Sequence, residues 1–152
     1  MGKVKYQHAI IKYIENFKTI ESNNVNVDTK LQGLNGCSKW GLTNNVTLYD
    51  EYAHIDIQSE TGNSGIITKT IIPTNSKNII SVYYNIKNLL GTVKLFAHFF
   101  KKNNNEQYQH LKTITKCEEN IINVDIANLS VYSNFDETKG INFVIANDGI
   151  SS

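Results

Sequence analysis

The sequence contains no arginine: all 15 basic residues are Lys. Without Arg it lacks the usual planar, bidentate reader of phosphates and guanine edges. With a formal net charge of +1 there is also no general pull toward a polyanion. Nucleic acid is therefore not an expected partner. No apolar run is long enough to span a bilayer. The opening MGKVKYQHAIIKYIENF lacks an unbroken apolar core and a small-residue cleavage site, so it does not read as a signal peptide. Tyr6 stands where myristoylation wants Ser or Thr. Neither membrane contact nor standard export is expected. Only two cysteines occur, Cys37 and Cys117, outside any metal-binding or redox spacing, and the sequence does not decide whether they pair.

Catalytic signatures are equally scarce. His8, His54, His98 and His110 lie on four separate segments with no metal-ligand spacing, and there is no nucleophile elbow, Walker loop or dinucleotide fingerprint. Asp125 and Asp136, or Glu118 and Glu119, can be imagined as paired carboxylates for sugar hydrolysis. Adjacent acids on a strand point to opposite faces, so Glu118 and Glu119 do not make such a pair. The expectation is a protein that is not an enzyme and needs no cofactor.

What the sequence has is short β-rich runs separated by Asn- and Gly-bearing turns. The turn signals are Asn23-Asn24, Asn35-Gly36, Asn44-Asn45, Gly62-Asn63, Pro73-Thr74-Asn75, Asn103-Asn104-Asn105 and Asp148-Gly149. Between them, YAHIDIQ (52–58) alternates Ala53, Ile55 and Ile57 against Tyr52, His54 and Asp56. GIITKTII (65–72), NIISVYYNI (78–86), GTVKLFAHFF (91–100), QYQHLKTIT (107–115), IINVDI (121–126) and INFVIAND (141–148) read as further strands. The polar stretch after residue 126 reads as a loop with a short helical turn. Regularly spaced strands with these turns imply an all-β, antiparallel sandwich of 152 residues and one domain.

Residues 5–20 fit two patterns. Ala9, Tyr13 and Phe17 fall at helical spacing with Ile10 and Ile14 beside them, which favours a short amphipathic helix. Tyr6, Ile10, Ile14 and Ile20 also suit a strand or extended arm. The expected division is an N-terminal arm over 1–24 and a sandwich over 25–152. The arm either docks on a partner or packs on its own domain.

The strand 91–100 carries aromatic groups on both faces, Phe99 on one and Phe96 and Phe100 on the other. Such a strand is buried on both sides or turns one face to a ligand or an interface. If the second faces of 78–86 and 91–100 share one sheet surface, Tyr83, Asn85, Phe96 and His98 line it. That mixture suits sugars: rings stack on C–H faces while amides and imidazole take hydroxyls. The competing reading is a face covered by the N-terminal arm or by another subunit.

From Asn35-Gly36-x-x-x-Trp40 through AHIDIQ, SGIITKTIIP, IISVYYNIK and GTVKLFAHFF, the order of elements resembles the jelly-roll carbohydrate-binding modules of glycanases. The stretch INVDIANLSVYSNFDETKGINFVIANDG is similar to the end of related sandwich modules in phage tail and baseplate proteins of Gram-positive hosts. The resemblance covers about residues 25–150 and is a match of element order. It implies a jelly roll and a non-enzymatic virion component, contacting cell-wall polysaccharide or other baseplate subunits, and in homo-oligomeric form as one option. The alternatives are a free-standing bacterial glycan-binding module and, more distantly, a small glycan hydrolase. In such modules a structural calcium ion is common, and Trp40 at this spacing is usually a core plug. The ending INFVIANDGISS departs from the acidic last strand of the glycanase modules, and a chain running from Met1 through one module suits a part of a larger particle.

Overall fold

The computed structural model describes residues 8–22, 37–41, 46–49, 52–58, 64–73, 79–132 and 134–147. Its ten strands are β1 (His8–Ser22), β2 (Cys37–Gly41), β3 (Val46–Leu48), β4 (Ala53–Gln58), β5 (Ser64–Thr68), β6 (Ile79–Gly91), β7 (Val93–Phe100), β8 (Glu106–Ile114), β9 (Glu118–Asp125) and β10 (Ile141–Asn147). A short helix of about two turns, α1 (Ile126–Tyr132), and a 3-10 turn, Glu137–Lys139, fill the segment between β9 and β10. No helix among the described residues is long and apolar enough to cross a membrane.

The strands form two antiparallel five-stranded sheets, ordered β3-β4-β1-β6-β9 and β2-β5-β10-β7-β8. The pairing is nested. The hairpin β7/β8 lies in the second sheet, its flanking pair β6/β9 in the first, and the next pair β5/β10 in the second again. This alternation is what a long hairpin produces when it rolls up, and it defines a jelly roll. In the outermost nested pair β4 is joined by β1, which pairs with β6 on its other side.

That placement corrects the helical reading of residues 5–20. His8–Ser22 is a strand, paired with β4 on one side and β6 on the other, in the middle of the first sheet. The helical spacing of Ala9, Tyr13 and Phe17 loses to backbone pairing available from two neighbours at once, because local propensity is a weak prior against tertiary context. Register shifts around Tyr13 and between Glu15 and Lys18 record irregular pairing along this strand. The turns expected at 23–24, 35–36, 44–45, 62–63, 74–75 and 148–149 lie outside the described residues. So does the side chain of Trp40, whose backbone pairs with Gly65.

The core lies between the sheets. Ile80, Val82, Tyr84 and Ile86 from β6 meet Leu95, Ala97 and Phe99 from β7 and Phe143 and Ile145 from β10, all buried. Phe99 packs edge-on against Phe135, ring centroids 5.1 Å apart. The Asn-rich loop after β7 closes a tight hairpin, with Lys101 N–H bonded to Asn105 C=O and Asn104 in the left-handed region at φ 71°. Asn tolerates that conformation better than other side-chain-bearing residues.

Candidate functional site

The four residues expected on one surface are divided between two. In β6 the even-numbered residues face the core, which turns Ser81, Tyr83 and Asn85 to the outer side of the first sheet. In β7 the odd-numbered residues face the core, so Phe96 and His98 lie on the outer side of the second sheet. The two strands follow each other in the chain but belong to opposite layers of the sandwich. Tyr83 and Asn85 therefore never meet Phe96 and His98.

Phe96 and His98 are also buried. Phe96 is 0% exposed, in a small cluster with Val144 and Ala146 against Ile67 and Tyr108. The Phe96 ring meets Tyr108 and His110 edge-on, at 6.3 and 5.9 Å. His98, 8% exposed, lies among Phe100, Tyr108, Asn142 and Glu106. Its Nδ1 is 3.4 Å from Asn142 Oδ1 and its Nε2 is 3.3 Å from Glu106 Oε1. Asn142 is oriented by its amide nitrogen, which donates to Thr68 C=O and Thr70 Oγ1 at 3.0 Å each. Phe96 and His98 are thus packed within the fold, whereas Lys94 and Phe100 at the ends of the same face stay partly exposed.

The first sheet's outer face is accessible. β6 pairs with β9 so that Ser81, Tyr83 and Asn85 stand opposite Asn123, Ile121 and Glu119. Ser81 Oγ donates to Asn123 Oδ1 at 2.7 Å, and the Tyr83 hydroxyl donates to the Glu119 carboxylate. These cross-strand bonds fix the ring and amide positions at strand spacing. Ile121 is 56% exposed, and a depression of about 380 Å³ opens between Tyr83, Glu119, Asn120 and Ile121. The arrangement offers a half-buried aromatic ring, two amides, a hydroxyl and a carboxylate in two rows. It has the donors, acceptors and apolar contact to hold an extended hydroxyl-bearing polymer. Of the residues on this face, sequence reasoning named Tyr83 and Asn85 and did not name Glu119, Ile121 or Asn123. The period-two pattern of IINVDI marks the strand, but nothing local marks β6 as its neighbour.

The carboxylates considered as acid pairs have other roles. Glu118 turns inward and accepts from the Tyr84 hydroxyl and, at 2.9 Å, from Lys112 Nζ. Glu119 turns outward to Tyr83. Asp125 caps α1 through Ala127 N–H at 2.9 Å, and Asp136 caps the 3-10 turn through Thr138 N–H at 3.0 Å and its hydroxyl at 2.6 Å. Those bonds from Thr138 hold the Asp136 carboxyl below its usual range. Cys117 is a free, exposed thiol whose Sγ donates to Lys87 C=O at 3.1 Å. Among the described residues no group of three or more His, Cys, Asp or Glu side chains converges to hold a metal ion. Comparison of the chain with known protein families, with curated proteins and with solved structures gave no match.

Proposed function

We propose that this protein is a non-enzymatic jelly-roll binding module that contacts cell-wall glycan through the outer face of its first sheet, as a tail or baseplate component of a phage. The observation that carries the reading is the row of Ser81, Tyr83 and Asn85 set against Asn123, Ile121 and Glu119. An aromatic ring flanked by ordered amides is the chemistry that sugar rings and their hydroxyls select. The virion setting rests on the resemblance of the stretch from β9 to β10 to sandwich modules of phage tails.

A second reading makes the same face an assembly interface, favoured by the 56% exposure of Ile121. Pull-down on purified Gram-positive cell walls separates the two. Tyr83→Ala and Asn85→Ala are each expected to weaken wall binding by about tenfold or more, with the circular dichroism spectrum unchanged. Wall binding that survives both changes sinks the glycan reading. If Ile121→Lys abolishes association with a neighbouring subunit while wall binding was never present, the assembly reading stands in its place.

A further inference from the structure

Among the described residues, β9 is the last strand of the first sheet and pairs only with β6. Natural sheets usually blunt such an edge with Lys, Pro or a bulge. β9 has no Lys, Pro or bulge, and its charges, the inward-pointing Glu118 among them, stand only at its ends: its centre, Asn120–Val124, is uncharged, its pairing with β6 is free of register shifts, and Ile121 is more exposed than any other large apolar side chain described. Ile121 N–H bonds the side-chain oxygen of Asn120 at 2.8 Å. In an antiparallel pair the residues alternate in direction, so Glu119, Ile121, Asn123 and Asp125 direct their backbone groups away from the sheet. Beside the end of β9, on the inner side, a cleft of about 260 Å³ opens between the sheets. Leu111, Val124 and Leu129 line its floor, and Gln109 and Asn128 its polar wall.

From the uncharged centre of this edge, the cleft beside it and the carboxylates at its two ends, we infer that β9 accepts an extended segment of a partner protein as a sixth strand. Successive side chains of an added strand alternate between the faces. On the inner face an aliphatic side chain enters the cleft. On the outer face the segment crosses Glu119, Ile121 and then Asp125, so it presents a basic residue, an apolar one and a second basic residue six positions from the first. Glu119 already accepts from Tyr83, and Asp125 from Ala127 N–H. A carboxylate has acceptor capacity left after one such bond.

Two β9 strands paired antiparallel with outer face matched to outer face centre on Ile121 or on Ile122. The Ile122 register sets Glu119 opposite Asp125 twice, and like charges directly opposite are destabilising; the Ile121 register sets Glu119 opposite Asn123, so neither gives the carboxylates a cation. A partner strand with Lys or Arg at those places turns both contacts favourable.

The test is fluorescence anisotropy with a labelled peptide of alternating Val and Thr carrying two Lys six positions apart, against the same peptide with Glu in place of Lys. The Lys peptide is expected to bind the full chain about tenfold or more tightly than the Glu peptide. Ile121→Pro removes the N–H that bonds the Asn120 side chain, and the sheet is expected to be retained while binding of the Lys peptide is lost. The double change Glu119→Gln and Asp125→Asn keeps the hydrogen-bonding shapes and is expected to erase the preference between the peptides. Equal binding of the two peptides by the unaltered chain, or binding untouched by Ile121→Pro in a protein with unchanged melting temperature, overturns the inference. A chain that dimerises and becomes monomeric on Ile121→Pro overturns it in favour of a second copy. No cell wall is present in the assay, so its outcome is independent of the glycan reading.

Discussion

Lys112 and Glu118 meet at 2.9 Å across the open side of the sandwich, one from each sheet. Glu118 also accepts the hydroxyl of Tyr84, which is fully buried. The carboxylate thus links an edge strand of the second sheet to the core of the first. Burial is the largest influence on Glu118 and pushes its pKa up. The bonds from Tyr84 and Lys112, the Lys112 charge and Asn120 together outweigh it, and the net direction is down from 4.5.

A depressed carboxyl stabilises the fold above the unfolded-state pKa and loses that contribution as pH falls through the folded value. The melting temperature is therefore expected to fall below about pH 4.5. Glu118→Gln flattens that acid limb in a pH series of thermal melts. For Tyr84, burial first and then the Glu118 carboxylate push the hydroxyl well above its usual range. Its sign is opposite: the contribution is complete below about pH 10 and is lost as pH rises further. Tyr84→Phe removes the corresponding alkaline limb.

Gly140 has φ +77° and sits against the isolated bridge between Ile71 and Ile141. A Cβ there comes within 2.8 Å of Ile71 C=O and 2.7 Å of Ile72 Cδ1, besides meeting Thr70 Cγ2. Both the backbone region and the space forbid a side chain. Gly140→Ala is expected to cost about 1–3 kcal/mol, read by urea denaturation.

Phe99 and Phe135 join β7 to the loop before β10 through an edge-to-face contact within the main core. Truncating either to Ala leaves a cavity in close-packed surroundings. The expected loss is about 3–5 kcal/mol by denaturant unfolding, with a smaller loss for Phe135→Leu.

His98 and Asn142 test the assignment of the second sheet's outer face to structure. Asn142→Ala leaves Thr68 C=O without the amide that bonds it and removes a partner of His98. It is expected to lower stability by about 1–3 kcal/mol. His98→Ala lowers the melting temperature as well. Neither change alters wall binding in the pull-down that responds to Tyr83→Ala.

Much of the fold was legible because strand alternation is local. Ala53, Ile55, Val82, Ile86, Leu95 and Phe99 fall on the core side where period-two reading puts them. The hairpin at Asn103–Asn105 follows from turn chemistry, and the helical turn after β9 from the polar break in pattern. The N-terminal segment was not legible, since its apolar residues satisfy both the 3.6 and the 2.0 period. Only the free places beside β4 and β6 choose between them.

The site was half legible for a related reason. Alternation states which residues share one face of one strand, as Tyr83 with Asn85 and Phe96 with His98. It does not state which sheet a strand joins, because pairing partners are set by contacts distant along the chain. The sequence by itself determined the strands β4 to β10, the inward faces of their alternating residues and the absence of Arg. The tertiary structure decided that β6 and β7 part into opposite layers, that Phe96 and His98 are sealed, and that β9 completes the Tyr83 surface. A side chain's periodicity is fixed by its own backbone, whereas its exposure depends on whatever the fold brings over it.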